Sequence, residues 1–220
     1  MVINHKLKVI FIKSKKTAGT SFEIALSKYC GQSCIITSIS DDDEKIRKKL
    51  GFRGPQNYKN YFWKTENIKI QGTFVNHTSA SALRKCVPES IWNNYKKITI
   101  VRNPFDIAIS RYYWEGGEKL GLDFYEYLIS FPQHLKENET IIGLNKIDLD
   151  IYLRYENLEE DLENANYGYL YQTFKNIKAK SNKRPKIGTS PREMYLSYPK
   201  AFEIVANACK SEIKKFQYFL

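Results

Sequence analysis

Apolar and polar positions along this chain switch repeatedly between a period of two and a period near 3.6. Residues 8–12 (KVIFI) are a short run rich in β-branched and aromatic side chains, which predicts a strand. Residues 20–29 place Phe22, Leu26 and Tyr29 at helical spacing and predict a helix, and residues 34–39 predict a second strand. At 41–49 the acids Asp41, Asp42, Asp43 and Glu44 precede Lys45, Arg47, Lys48 and Lys49. A helix dipole favours that order, so a short solvated helix is expected there. Two glycines and a proline make 51–61 (GFRGPQNYKNY) a loop, and 69–76 predicts a strand running into His77, Thr78 and Ser79. Ser79 or Ser81 can cap a helix reaching residue 85.

Further on, 88–95 predicts a short helix, 97–101 (KITIV) a buried strand, and 105–114 a helix broken by Gly116 and Gly117. Residues 122–135 keep helical spacing, although Pro132 must bend or end the element. Residues 147–154 alternate like a strand, 157–166 form an acidic helix, 175–190 are basic and irregular, and 199–216 make a closing amphipathic helix. Strands alternating with helices predict an α/β fold in a single domain over 1–220, with a mainly parallel central sheet flanked by helices. In such sheets ligands sit beyond the carboxyl ends of strands. Three polar clusters fall at predicted strand ends: the lysine-rich turn after 8–12, Asn76 with His77, and Arg102 with Asn103 and Pro104.

Composition narrows the partner class. At 220 residues and 42% apolar content the chain can bury a core without staples. No run of about 18 apolar residues crosses a membrane. The opening MVINHKLKVIFIKSKK lacks a signal peptide's apolar region and cleavage site and reads as the first strand of the fold. A soluble, cytoplasmic protein is expected. The net charge of +11 points to an acidic partner: nucleic acid, a nucleotide, an acidic glycan or a membrane surface. Cys30, Cys34, Cys86 and Cys209 contain no CxxC pair. Buried or free thiols are expected, with a Cys30–Cys34 bridge or a metal site as alternatives.

Residues 9–23 (VIFIKSKKTAGTSFE) pass from strand to small-residue turn to helix, with Lys13, Lys15 and Lys16 before Thr17, Ala18, Gly19, Thr20 and Ser21. A helix N-terminus with small residues offers free amides to a phosphate, and a lysine adds a full charge. The order is not that of the nucleoside triphosphatase loop, in which lysine follows the second glycine. A basic surface turn is the plainer alternative. In the second cluster Arg102 leaves a strand end and Ser110 stands two helical turns on. A guanidinium and a hydroxyl suit a second phosphate, unless Arg102 pairs with Asp106 instead.

KKTAGTS resembles the 5′-phosphosulfate loop of the sulfotransferase superfamily, and VRNPFDIAISRYYW resembles its 3′-phosphate motif. NHTSASALRK is similar to the histidine-bearing segment of the carbohydrate sulfotransferases, those of the heparan sulfate 2-O type. IYLRYENLEED and EIVANACKSEIKKFQY are similar to later segments of the superfamily. The resemblance implies a P-loop-like architecture and 3′-phosphoadenosine 5′-phosphosulfate as donor, with its bisphosphate product and no metal. It implies that Lys15, Lys16, Thr17, Ala18, Gly19, Thr20 and Ser21 wrap the 5′-phosphate, with Lys16 near the bridging oxygen. Arg102 and Ser110 would hold the 3′-phosphate, and His77 would be the general base. Lys15 stands where the superfamily often has proline.

The chemistry agrees with those residue types. Histidine accepts a hydroxyl proton near neutral pH without help, and Lys16 with loop amides can stabilise charge on a departing phosphate. Glu66 is the reserve candidate for the base. The basic residues Lys183, Arg184 and Lys186 are candidates to lie over the nucleotide. Phe52, Arg53, Tyr58, Tyr61, Phe62 and Trp63 suggest a sugar-binding surface, although aromatics in a loop also serve as packing. The acceptor is therefore expected to be a hydroxyl-bearing small molecule, a glycan before others, with no nucleic acid partner. A nucleotide or small-molecule kinase with a variant phosphate loop is the alternative enzyme. A nucleic-acid binder is the non-enzymatic one, motivated by the charge and 16 tyrosines.

Overall fold

The structure, a computed structural model, describes residues 1–63, 68–69, 73–179, 184–185 and 187–220. The chain divides into two compact units, residues 1–101 with 141–180 and residues 102–140 with 181–220.

The described strands of the first unit are β1 (Val2–Asn4), β2 (Val9–Ile12), β3 (Ile35–Ile36), β4 (Phe62–Trp63), β5 (Ile68–Lys69), β6 (Lys96–Val101) and β7 (Ile151–Arg154). Five of them form one sheet in the order β3-β1-β2-β6-β7. β2 pairs in parallel with β6, Phe11 opposite Ile98, and β6 in parallel with β7, Ile100 opposite Leu153. β1 is antiparallel to both β2 and β3. Four strands thus run one way and only β1 runs the other. β4 and β5 pair antiparallel in a separate two-stranded sheet.

In chain order the helices are α1 (Gly19–Ser27), α2 (Asp41–Lys49), α3 (Ala80–Cys86), α4 (Glu89–Asn94), α5 (Pro104–Glu115), α6 (Phe124–Ser130) and α7 (Gln133–Ile142). They continue with α8 (Leu158–Asn164), α9 (Gly168–Phe174), α10 (Pro191–Ser197), α11 (Pro199–Ala208) and α12 (Lys210–Phe216). In the first unit Phe22 and Leu26 of α1, Leu158 and Leu162 of α8 and Leu170 of α9 close over one face of the sheet. That face carries Val9, Phe11, Ile98, Ile100 and Leu153. These alternate positions on β2 and β6 share a face because a strand's period is two. The second unit has its own core of Phe105, Ile109 and Tyr112 from α5, Phe124 and Tyr127 from α6, Tyr195 from α10 and Val205 from α11.

The α/β class and the mainly parallel sheet agree with the sequence pattern, and several elements differ. Strand 34–39 shrinks to Ile35–Ile36 and strand 147–154 to Ile151–Arg154. Pro132, which has no amide to donate, separates α6 from α7, and Cys209 separates α11 from α12. The predicted strand 69–76 does not enter the main sheet among the described residues. Lys69 ends β5 and Thr73 makes one isolated bridge to Lys59, so His77 follows irregular chain instead of a strand end. No helix among the described residues is long and apolar enough to cross a membrane.

Candidate functional site

β2 ends at Ile12, and the chain turns through residues 13–18 into α1. Ser14 locks the turn to the neighbouring strand. Its Oγ donates to the carbonyl of Ile100 on β6, and it lies 2.8 Å from Thr17 Oγ1. The Ser14 proton is committed to a carbonyl, so Thr17 is the donor in that second bond. Lys16 (φ 64°) and Ala18 (φ 57°) are both left-handed, a conformation that costs a non-glycine residue about 1 kcal/mol. Ala18 is the N-cap of α1 and supplies no side-chain cap. The amides of Gly19, Thr20 and Ser21 therefore have no acceptor among the described residues, as expected for the first turn of an uncapped helix. Such a turn attracts an anion through those amides and the helix dipole. Ser21 Oγ accepts from the amide of Ala179, and Lys15 and Lys16 lie half-buried in the loop.

Gly19 is required by contact. A Cβ placed there would stand 2.9 Å from Lys13 Cγ and 3.4 Å from Ser14 O. Lys13 cannot yield easily, because its Nζ is held by Glu23 Oε2 at 2.8 Å and Asn76 Oδ1 at 2.7 Å. Overpacking of this kind costs about 1–3 kcal/mol, against a helix-propensity gain of at most about 1 kcal/mol. Gly19→Ala is expected to be net destabilising in urea unfolding. Retained or increased stability would show that the Lys13 stem is free to move.

Lys13 is a structural lysine that the sequence placed only loosely in the cradle. It belongs to a buried polar cluster around Glu23 of α1. Glu23 accepts from Thr37 Oγ1 at 3.1 Å and faces Lys13, Arg47 Nη2 at 3.5 Å and the Met1 amine at 3.1 Å. The sequence signal was an acid on the inner face of α1, between Phe22 and Leu26.

His77 reaches this site from the segment after β5. Its Nδ1 lies 2.8 Å from the carbonyl oxygen of Lys13. A carbonyl only accepts, so Nδ1 carries the proton and Nε2 is left with a lone pair. No hydrogen bond among the described residues engages Nε2. Burial pushes the imidazole down to about 4, against the pull of the Lys13 carbonyl and with help from the charges of Lys13, the amino terminus and Lys15. The ring is thus neutral at physiological pH, in the tautomer that presents a base. Asn76 and Ser79 fix the segment, Asn76 through Lys13 and Ser79 by capping α3 at the Ala82 amide. Glu66 lies outside the described residues.

Arg102, Asn103 and Pro104 open α5 in the second unit. Asn103 caps the helix at the Phe105 amide, and its Nδ2 donates to the Phe219 carbonyl at 2.7 Å. Arg102 does pair with Asp106: Nε donates to Oδ2 at 2.8 Å, and Nη2 binds the same oxygen. Asp106 also takes Arg184 Nη1, while Arg184 Nε donates to Thr189 Oγ1 at 3.2 Å. Burial would raise the Asp106 carboxyl, but the two guanidinium groups overcome this and hold it below its ordinary value. Ser110 lies one turn beyond Asp106 on the same face of α5, and its hydroxyl has no partner among the described residues. Asp106 was foreseen only as a competitor for Arg102. Arg184 was named within a basic segment whose Lys183 and Lys186 lie outside the described residues.

Of the suggested sugar-facing aromatics Trp63 is buried, and Phe52, Tyr58 and Tyr61 are half-buried. Tyr61 and Trp63 meet edge to face with centroids 4.6 Å apart, Phe52 joins a small core with Ile24 and Ile177, and Arg53 Nε donates to the Cys30 carbonyl. Comparison of the chain with protein-family models, curated proteins and solved structures gave no match.

Proposed function

We propose that this chain is a sulfotransferase with P-loop-like architecture, moving a sulfuryl group from 3′-phosphoadenosine 5′-phosphosulfate to a hydroxyl of a carbohydrate acceptor. The reading is supported above all by His77, whose bond to the Lys13 carbonyl leaves Nε2 as a proton acceptor beside the turn that feeds an uncapped helix N-terminus. In this reading the amides of Gly19, Thr20 and Ser21 take the 5′-phosphate, within a loop formed by Lys15, Lys16, Thr17 and Ala18. His77 Nε2 removes the acceptor hydroxyl proton as the acceptor oxygen attacks sulfur. The bond from sulfur to the bridging phosphate oxygen breaks, and the charge left on that phosphate is stabilised by Lys16 and the loop amides. Arg102 and Ser110 are assigned to the 3′-phosphate, where Arg102 would exchange or share its bond to Asp106.

Titration with adenosine 3′,5′-bisphosphate, beside ATP with magnesium, tests this reading. Metal-free binding of the bisphosphate is expected. Arg102→Ala is expected to weaken it about 10- to 100-fold, the range for losing a charge-assisted phosphate contact. Failure to bind the bisphosphate, or a preference for ATP with magnesium, would replace the sulfotransferase with the kinase.

A further inference from the structure

The second unit carries an apolar stripe that its own core does not cover. Met194 and Tyr195 of α10 and Ala201 and Val205 of α11 are buried in that core. Tyr195 also belongs to a second row: Arg192, Tyr195 and Leu196 stand at i, i+3 and i+4 on α10, Pro199 opens α11 and Phe202 follows one turn on. Such spacing ordinarily marks a face packed against a neighbouring element. Yet Leu196 is 73% exposed, Leu220 49% and Phe202 38%. Together with Arg192, Tyr195 and Pro199 they line a cavity of about 590 Å³, inside the range of roughly 300–1,000 Å³ typical of small-molecule sites. All six residues lie in the second unit.

The walls are fixed and mostly aromatic. Ser190 and Glu193 close the capping box of α10, with Pro191 at its first position. Tyr195 Oη donates to the Phe105 carbonyl at 3.0 Å, so Tyr195 offers the cavity its ring and not its hydroxyl proton. Phe105 stacks on one face of the Phe202 ring, centroids 5.0 Å apart and planes 3° from parallel, and does not cover the other. Tyr195 and Phe202 meet at 84° with centroids 6.3 Å apart, forming a corner of two rings. Arg192 is the one charged side chain among the six. It is exposed, and no hydrogen bond or ion pair engages it among the described residues. The neighbouring Glu193 carboxylate is occupied by the Ser190 amide and hydroxyl.

We propose that this cavity is a binding site for a small aromatic carboxylate, with its rings against Phe202 and Tyr195 and its carboxylate paired with the Arg192 guanidinium. A guanidinium holds a planar carboxylate through two parallel bonds. A corner of two rings receives a flat ring by stacking on one wall and meeting the other edge to face. A flexible alkyl chain would lose more freedom on entering the same space. The site does not depend on the reaction proposed above.

Calorimetric titration of the full chain with 2-naphthoate tests the proposal. Saturable binding of one molecule per chain is expected. Arg192→Gln should weaken it about 10-fold, as for loss of one charge-assisted pair. Leu196→Trp, which fills the cavity from an exposed position, should abolish it. Neither substitution should change the far-ultraviolet circular dichroism or the unfolding midpoint. Octanoate, which has the charge without the rings, and 2-naphthalenemethanol, which has the rings without the charge, should each bind more weakly than 2-naphthoate. Absence of saturable binding, binding that both substitutions leave unchanged, or octanoate binding as tightly would overturn the proposal. So would a chain that sediments as a dimer and becomes a monomer in Leu196→Ser, because a second copy would then cover the cavity.

Discussion

Glu23→Ala is expected to lower the free energy of unfolding by about 3–5 kcal/mol, the range for removing one partner from a buried ionic cluster. Glu23, Lys13 and Arg47 are almost completely buried. Lys13 would lose its ion pair and keep the bond to Asn76 Oδ1 at 2.7 Å. Among the described residues Arg47 would keep only Glu44, at 3.3 Å, and its Nε already has no hydrogen bond. The charges left behind set the size of the loss, since exchanging the whole cluster for apolar side chains could be nearly neutral. Thr37→Ala, which removes a hydroxyl bond to the same carboxylate and the acceptor of the Met1 amine at 2.8 Å, is expected to cost less, about 1–3 kcal/mol. The cluster also has a definite pH signature. Burial would raise the Glu23 carboxyl, but the Met1 amine, Lys13 and Arg47 overcome it and hold it below its ordinary 4.5. A carboxyl depressed by folding contributes stability that is present above 4.5 and is lost as pH falls through the folded value. Denaturant midpoints on the acid side should therefore fall more steeply for the native chain than for Glu23→Ala. Equal slopes would mean that Glu23 is not held as a carboxylate. Lys13 also fixes Asn76 and the stem beneath Gly19, so the same substitution should loosen the candidate site.

What was legible in the sequence followed from period and length. β2 and β6 are runs of branched apolar residues, and α1 carries Phe22 and Leu26 one turn apart, so strand, turn and helix could be ordered before their packing was known. β1 was missed because three residues give too little pattern. Its pairing with β2 depends on Lys8 adopting a left-handed conformation, which no local preference of lysine signals. α10 left a readable trace: Ser190 and Glu193 form a reciprocal capping box with Pro191 at the first helical position. That trace was lost in the basic character of 175–190. The site divides the same way. The small-residue turn and His77 were visible because their residue types are chemically uncommon at such places. Lys13, Glu23 and Arg47 were not visible as a unit, since only the fold brings residues so separated in sequence into one buried cluster. Asp106 shows the limit from the other side: spacing showed that it could meet Arg102, but not that Arg184 would join it.

His77→Asn is expected to reduce turnover in the proposed reaction by about 10²- to 10⁴-fold, the usual contribution of a positioned general base. Asparagine is the informative replacement. Its amide nitrogen can still donate to the Lys13 carbonyl, as Nδ1 does, but it offers no base in place of Nε2. Binding of adenosine 3′,5′-bisphosphate should stay within about threefold of the native value, because the loss falls on the transition state. Near-native turnover in the variant would move the base to another residue. The pH dependence separates a base from a structural histidine. Protonation removes the Nε2 lone pair, so the rate must fall as pH drops through the imidazole pKa. Burial first, then the charges of Lys13, the amino terminus and Lys15, place that pKa near 4 instead of 6.5 in the ligand-free chain. The acid limb of kcat/KM, which reports the free enzyme, should therefore lie well below 6.5. A bound anionic donor adds negative charge to a site now surrounded by cations, and this raises the imidazole pKa. The acid limb of kcat, which reports the occupied enzyme, should consequently lie at higher pH than that of kcat/KM. Both limbs should vanish from the residual activity of His77→Asn, and limbs that persist unchanged would assign the titrating base elsewhere.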